Sequence, residues 1–474
     1  MNHIAGLDRS QTLLFPERLE DYIAADNPVR FLEAFVAGLD LHRLGFAKAR
    51  CAGTGRPPYD PAVLLKLYLY GYLHRIRSSR LLEAECARNV ELIWLTGKLA
   101  PDFKTIADFR KDNLKPLKAL ARQFTLLCRK LELFGGELLA IDGSKFKAVN
   151  SRAHNFNAGK LQELLAHTDA RIAEYFEALE TADASDPIEP KLTREVLAQK
   201  IAALQEKRDW HEELLGQLDA EQKQISTTDP DSRRMPTAQG NVVGYNAQLA
   251  VDAKHKLIAA DDVTNEVTDI TQLANVALEA KQNLELQQAD VVADAGYYNA
   301  SEVSRCVEQG LTPHLPKVDT SANTARGLFG KSQFQYDAAK DVYVCPAKHE
   351  LTYRSSSFEL GRELRYYRAS ACQQCALKPQ CTRNQANRRL SREANEHLME
   401  AMAVRMKAHP EKFKLRKQLA EHPFGTIKRA LGYDHFLLKG LAKVRTEWSL
   451  ITLAYNLKRV LNLVSFEKLM AAVS

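Results

Sequence analysis

Three acidic residues stand where a carboxylate could do more than solvate a surface. Asp142 ends the apolar run Leu138-Leu139-Ala140-Ile141, Asp294 ends Val291-Val292-Ala293, and Glu421 lies inside a basic block. Short apolar runs of this kind read as buried strands, so each aspartate is expected at a strand end. Carboxylates brought together repel unless a divalent cation neutralises them, and such oxygen donors suit magnesium or manganese. Two such ions about 4 Å apart can activate an attacking water or hydroxyl and steady the leaving oxygen of a phosphodiester. Taken alone, Asp142-Gly143 is also a two-residue hairpin signal, so a turn competes with a ligand there. Glu411 is the second choice for the third acid. Asp252, Asp261, Asp262 and Glu266 compete for the same ions.

The elements that must position these acids follow from the pattern. Residues 1–135 read as an all-α N-terminal domain: helices open at Asn27-Pro28, at Pro61, at Ser78 and after Pro101. Short helices with basic turns (Arg75, Arg77, Arg80) suit a helix-turn-helix-like DNA-binding unit, and an ordinary helical core fits equally. Residues 136–316 and 396–474 alternate strands and helices, which describes an α/β mixed sheet with helices on its faces. Two insertions interrupt it. In 160–223 apolar residues keep heptad spacing on either side of a break at Thr181–Pro190, the pattern of an antiparallel helical hairpin. Residues 317–395 read as polar and loop-rich. Near the end, Trp448 to Leu457 has the apolar density of a core helix, and Pro423 with Gly425 predicts a break or kink just after Glu421.

Charge narrows the partner. The net charge of +7 is modest over 474 residues, but it is unevenly spread. Lys160 to Lys223 holds 15 acids against 8 Lys and Arg, whereas Val404 to Glu447 holds 11 Lys and Arg against 4 acids. The second block is a candidate polyanion surface, since clustered cations gain by displacing phosphate counterions. Lys145, Arg233 and Arg234 are further candidate DNA contacts, with solvated loop charges as the competing reading. No apolar window is long enough for a membrane span and no signal sequence opens the chain, so a cytoplasmic protein is expected. Cys372 and Cys375 form a chelating pair that Cys345 and Cys381 could complete as a zinc site, against unliganded thiols in a small insertion. Cys51, Cys86, Cys128 and Cys306 read as buried small residues, and His74 and His314 as structural.

Asp142-Gly143-Ser144, Ala293-Asp294-Ala295-Gly296-Tyr297-Tyr298 and Glu421-His422-Pro423-Phe424-Gly425-Thr426-Ile427-Lys428 resemble the three acidic blocks of DDE transposases from bacterial insertion sequences. Gly244-Tyr245-Asn246-Ala247-Gln248 and Tyr455-Asn456-Leu457-Lys458-Arg459 are also similar to that family. The resemblance covers essentially the whole chain. It implies a ribonuclease H-like catalytic domain, magnesium, and cutting at terminal inverted repeats followed by joining of the 3′ ends to target DNA. Asp142, Asp294 and Glu421 would be the catalytic, metal-holding acids, and Lys428 the basic partner to DNA. Related groups carry an arginine four residues before the glutamate. Here that position is Lys417, with Arg416 one place off, so either could supply the phosphate contact. Double-stranded DNA is the expected partner, with a homodimer in the DNA complex. A catalytically inert DNA-binding relative, or a nuclease that cuts without joining, are the alternatives.

Overall fold

Helix starts follow the capping chemistry. In the computed structural model, which describes residues 18–50, 57–183, 194–218, 223–317, 322–359 and 362–473, the Asn27 and Asp60 side chains accept from the N–H groups of Val29 and Ala62 at 2.9 and 2.8 Å. Pro28 and Pro61 then open α1 (Pro28–Ala37) and α2 (Pro61–Leu73). Ser78 occupies the N-cap of α3 (Ser79–Arg88) without a side-chain cap bond. Next come α4 (Val90–Leu95), α5 (Phe103–Asp112), capped by Asp102, and α6 (Leu114–Lys130). Their apolar faces merge with sheet residues Phe146, Tyr245 and Leu249, and with the helix near the C-terminus, in one continuous core.

The central sheet begins with β1 (Leu138–Lys147). A short pair, β2 (Asn155–Asn157) and β3 (Gln224–Ser226), brackets α7 (Ala158–Asp183) and α8 (Arg194–Gly216). These two helices pack on each other, and Leu161 and Leu214 close on Phe156 and Ile225 at their base. Of the expected Thr181–Pro190 break, residues 181–183 continue α7 and the rest lies outside the described residues. The sheet resumes with β4 (Arg233–Thr237), β5 (Gly240–Asp252), β6 (Ile258–Thr264), β7 (Ala289–Val292) and β8 (Leu311–His314); α9 (Leu273–Leu284) and α10 (Ala300–Glu308) cross between its later strands. The order is β4-β5-β1-β7-β8, with β6 also on β5. β4, β6 and β1 run antiparallel to β5, while β1, β7 and β8 are parallel.

Asp142-Gly143 is neither a hairpin nor the end of β1. Pairing with β5 runs unbroken from Leu139 opposite Asp252 to Lys147 opposite Gly244. What ends near Asp142 is the other neighbour, because β7 pairs only as far as Ala140 opposite Val292. Asp142 therefore stands on a continuous strand at the point where one edge becomes open.

Residues 317–395 are more ordered than their polarity suggested. After α11 (Ala322–Ala325), strands β9 (Gln335–Asp337), β10 (Val342–Val344), β11 (Glu350–Glu359), β12 (Arg362–Ala369) and β13 (Arg389–Glu393), with α12 (Lys378–Cys381) between the last two, form an antiparallel sheet in the order β13-β12-β11-β10-β9. Tyr343, Leu351, Tyr367 and Leu390 supply its own core. Arginine over tyrosine, as in Arg392 at 3.6 Å from the Tyr336 ring centroid, replaces the aliphatic alternation that would have marked these strands.

The chain ends with α13 (Glu396–Ala408), α14 (Pro410–Gly425), a π turn over Thr426–Ala430, α15 (Leu441–Leu463) and α16 (Phe466–Val473). The expected break after Glu421 does not occur. Pro423 lies inside α14, and the Leu431 N–H to Thr426 carbonyl bond carries the helix on through the wider turn. Among the described residues no helix is long and apolar enough to cross a membrane. Trp448 of α15 is fully buried against Phe146 of β1, Phe424 of α14 and Phe436, with ring centroids 4.9, 6.1 and 6.3 Å away. It thereby joins the two elements that carry Asp142 and Glu421. Trp448→Ala should cost about 3–5 kcal/mol of unfolding free energy. Denaturant titration measures it, and a loss below about 1 kcal/mol would contradict this packing.

Candidate active site

Strand parity decides which side chains meet. Ala140 and Val292 are paired on parallel neighbours, and Asp142 and Asp294 each lie two residues further on. Asp142 is still on β1 there, whereas Asp294 lies past the end of β7 at the start of the next turn, near enough for its charge to raise the Asp142 carboxyl. Ala140 and Val292 pack against Leu419 and Ala420 of α14, so that face looks toward the helix.

Helix α14 and its π turn meet the sheet at intervals of four residues. Lys412 pairs with Asp290 at 2.5 Å and Arg416 with Asp142 at 3.6 Å. Ala420 packs on the strands, Phe424 stacks on Trp448, and Lys428 donates to the Ser144 hydroxyl at 2.6 Å and the Lys145 carbonyl at 3.0 Å. Burial holds the Lys428 ammonium below the usual lysine range. Glu421 lies one residue off this line. It is exposed and makes no ion pair or hydrogen bond among the described residues, so this structure does not gather it with the two aspartates. The seven-residue spacing that was expected to put Glu421 and Lys428 on one working face is overridden by the four-residue line, which is the one that packs. Lys417 is exposed, and Arg416 is the cation aimed at Asp142.

Asp142 is largely buried, and burial pushes its carboxyl up to about 6. Arg416 and the Gly143 N–H, at 3.0 Å, oppose the rise, while Asp294 and Asp269 add to it. Asp294 caps the following turn by accepting from the Gly296 N–H at 2.8 Å. Crowded hard oxygen donors of this sort fit a divalent cation. Among the described residues no three His, Cys, Asp or Glu side chains already form a metal-holding group.

Asp269 was missed by the sequence reading. It follows no apolar run, and only the fold brings it back to Gly143. Its Oδ1 accepts from Asn246 Nδ2 at 2.6 Å and Gln248 Nε2 at 2.8 Å, and pairs with Lys145 at 3.2 Å. Gly143 is required for space here: an added Cβ would lie 2.4 Å from Gln248 Nε2 and 2.8 Å from Asp269 Oδ1.

Of the competing acids, exposed Glu266 comes near the cluster through its backbone carbonyl, which accepts from Asn246 Nδ2 at 3.3 Å; the others are engaged elsewhere. Asp252 accepts from the N–H groups of Gly135, Gly136 and Lys254. Asp262 pairs with Arg445, and Glu411 is exposed beside His409. Asp261 is buried and accepts from Ser449 and Thr452. Arg233 and Arg234 stand on β4 opposite Gly244 and Val243. Since Gly244 faces Lys147, five residues beyond Asp142, these cations lie about 17 Å along the strand from the acids.

Cys345, Cys372, Cys375 and Cys381 line one small pocket on the insertion sheet. The His349 N–H points at Cys345 Sγ (3.3 Å) and the Arg388 N–H at Cys372 Sγ (3.4 Å). Cys86, Cys128 and Cys306 are buried, whereas Cys51 lies outside the described residues. His314 is buried and bonded to Asp290, and His74 stacks on Tyr70.

Asp142 on β1, with Asp294 nearby and Arg416 of α14 facing it, is a candidate site for a divalent cation. Residues 344–461 match the family model described as Transposase DDE domain, and residues 17–112 match that described as Transposase domain (DUF772). These two matches support reading the chain as a DDE transposase. The first match contains Glu421 and the four cysteines but neither Asp142 nor Asp294. No curated protein matches the chain. The cryo-EM structure of the piggyBac transposase synaptic complex with hairpin DNA is similar at 9% identity over 94% of this chain and 79% of that one, with a TM-score of 0.30, too low to support an argument.

Burial pushes the Asp261 carboxyl from 3.8 up to about 7, with Glu279 adding to the rise and Lys118 opposing it. A carboxyl raised on folding stabilises most when protonated, so its contribution is present below the unfolded value and lost as pH climbs through the folded one. Stability should therefore fall between pH 3.8 and about 7. Asp261→Asn should remove much of that slope in denaturant titrations across the range, and an unchanged slope would rule Asp261 out as its source.

Proposed function

We propose that this transposase cuts at the terminal inverted repeats of its element and joins the freed 3′ ends to target DNA, with Asp142, Asp294 and Glu421 holding magnesium or manganese. The observation that supports the reading is Asp142 beneath Arg416 of α14, with Asp294 close enough to raise its carboxyl. A strand order with antiparallel β6, β5 and β1 followed by parallel β7 and β8 supports a ribonuclease H-like catalytic unit. Bound cations would supply the Lewis acidity that activates a water or 3′-hydroxyl and stabilises the leaving oxygen.

The chain's own residues divide the remaining work. Arg416 offsets the charge on Asp142 and, in this reading, also meets a DNA phosphate. Lys428 fastens the π turn to β1, and Lys145 is held by Asp269. Exposed Lys417 and Arg234, with Arg233 beside it, extend the cationic surface to flanking DNA. The helices of residues 28–130 supply further end-binding surface, and the protein works as a homodimer in the DNA complex. Glu421, exposed on the flank of α14, would complete the metal set.

Alanine at Asp142, Asp294 or Glu421 should lower magnesium-dependent cleavage of end DNA by more than about 100-fold, because even outer partners of metal ligands cost 10–100-fold. Binding of end DNA should persist in a mobility-shift assay. Cleavage retained in all three variants would sink the assignment, and strand transfer from pre-cut ends tests the joining step.

We also propose that the four-cysteine pocket holds a structural zinc ion, on the support of the two N–H groups directed at sulfur. Elemental analysis should find one zinc per chain, lost with a lowered melting temperature in C372S/C375S. A metal-free wild-type protein would refute it.

A further inference from the structure

Beyond Val292 the Asp294 turn has no strand partner on β1, yet its acid must stay near Asp142. One side-chain tie to the sheet comes from Tyr297, three residues on. It is 1% exposed, and its hydroxyl donates to Gln248 Oε1. Gln248 is itself fully buried on β5, directly opposite Gly143. An amide can present either end, and the end that faces Tyr297 must be the oxygen for this bond to form. Asp269 imposes that choice. An ionised carboxylate only accepts, so its Oδ1 draws the Gln248 Nε2 hydrogens at 2.8 Å; the second of these goes to Asn246 Oδ1 at 2.9 Å. Lys145 makes a charged Asp269 tolerable there.

Resting on the assignment of Asp142 and Asp294 as metal-holding acids, we propose that Asp269 is a positioning residue: it orients the Gln248 amide so that Tyr297 tethers the Asp294 turn to the sheet and sets the spacing of the two metal-holding aspartates. Asp269 touches neither substrate nor metal in this role. It acts through Gln248 and Tyr297, and Gly143 leaves the space in which the three groups meet.

The test is a double-mutant cycle on full-length protein bound to uncleaved end DNA, read by calorimetric titration with manganese. D269A and Y297F should each weaken manganese binding by about 10-fold, the range for partners that orient metal ligands. The double variant should be no weaker than D269A, since both substitutions break one tether. Y297F removes a single oxygen, so it keeps the test open even if D269A folds poorly. Unchanged manganese affinity in Y297F, or losses that multiply in the double variant, would overturn the tether. If D142A retains cleavage, the underlying assignment fails instead; if D142A is inactive and Y297F binds manganese normally, only the tether fails.

Discussion

Bringing carboxylates together inside a protein costs free energy, and much of this fold is arranged around meeting that cost. Burial, with the charges of Asp294 and Asp269 nearby, raises the carboxyl of Asp142. Two cations answer from different directions. Arg416 comes from α14 over one face of β1, and Lys145 projects from the opposite parity of the same strand. A divalent ion neutralises such a cluster more completely than either side chain, which is why an arrangement strained by like charge suits metal-dependent chemistry.

Everything that holds α14 against β1 is therefore part of the site. The helix meets the sheet through the Lys412–Asp290 and Arg416–Asp142 pairs, then Ala420, Phe424 and Lys428. Trp448 locks the middle of that seam by filling the space between Phe146 and Phe424. Because the helices of residues 28–130 share this core, the element expected to bind DNA and the element that holds the acids are mechanically one body at their contact. The cysteine-bearing sheet enters between β8 and α13, with an aromatic core of its own, so it can vary without disturbing the seam.

Much of the site could be read from residue order. Apolar runs ending in Asp142 and Asp294, and a basic block around Glu421, are local patterns that survive without coordinates. Pro28 and Pro61 marked helix starts because capping is a local interaction. The errors have physical causes. Asp142-Gly143 looked like a turn because the pair usually is one; here glycine answers a steric demand from Gln248 and Asp269, side chains more than a hundred residues away in sequence. Pro423 predicted a break, but α14 runs through it to Gly425 and a π turn follows. The insertion sheet hid because its strands are held by arginine and tyrosine rather than alternating aliphatic residues.

The sequence by itself determined the apolar runs that precede Asp142 and Asp294, the paired cysteines and the basic character of the C-terminal region. These are properties of short segments, and local physics sets them. Tertiary structure alone decided that Arg416 rather than Lys417 faces Asp142, that Glu421 waits at the flank of its helix, and that Asp269 joins the cluster. Each of those outcomes depends on which face of a helix packs, or on which loop returns to which strand. Such choices are settled by long-range packing, for which a single run of residues carries no signal.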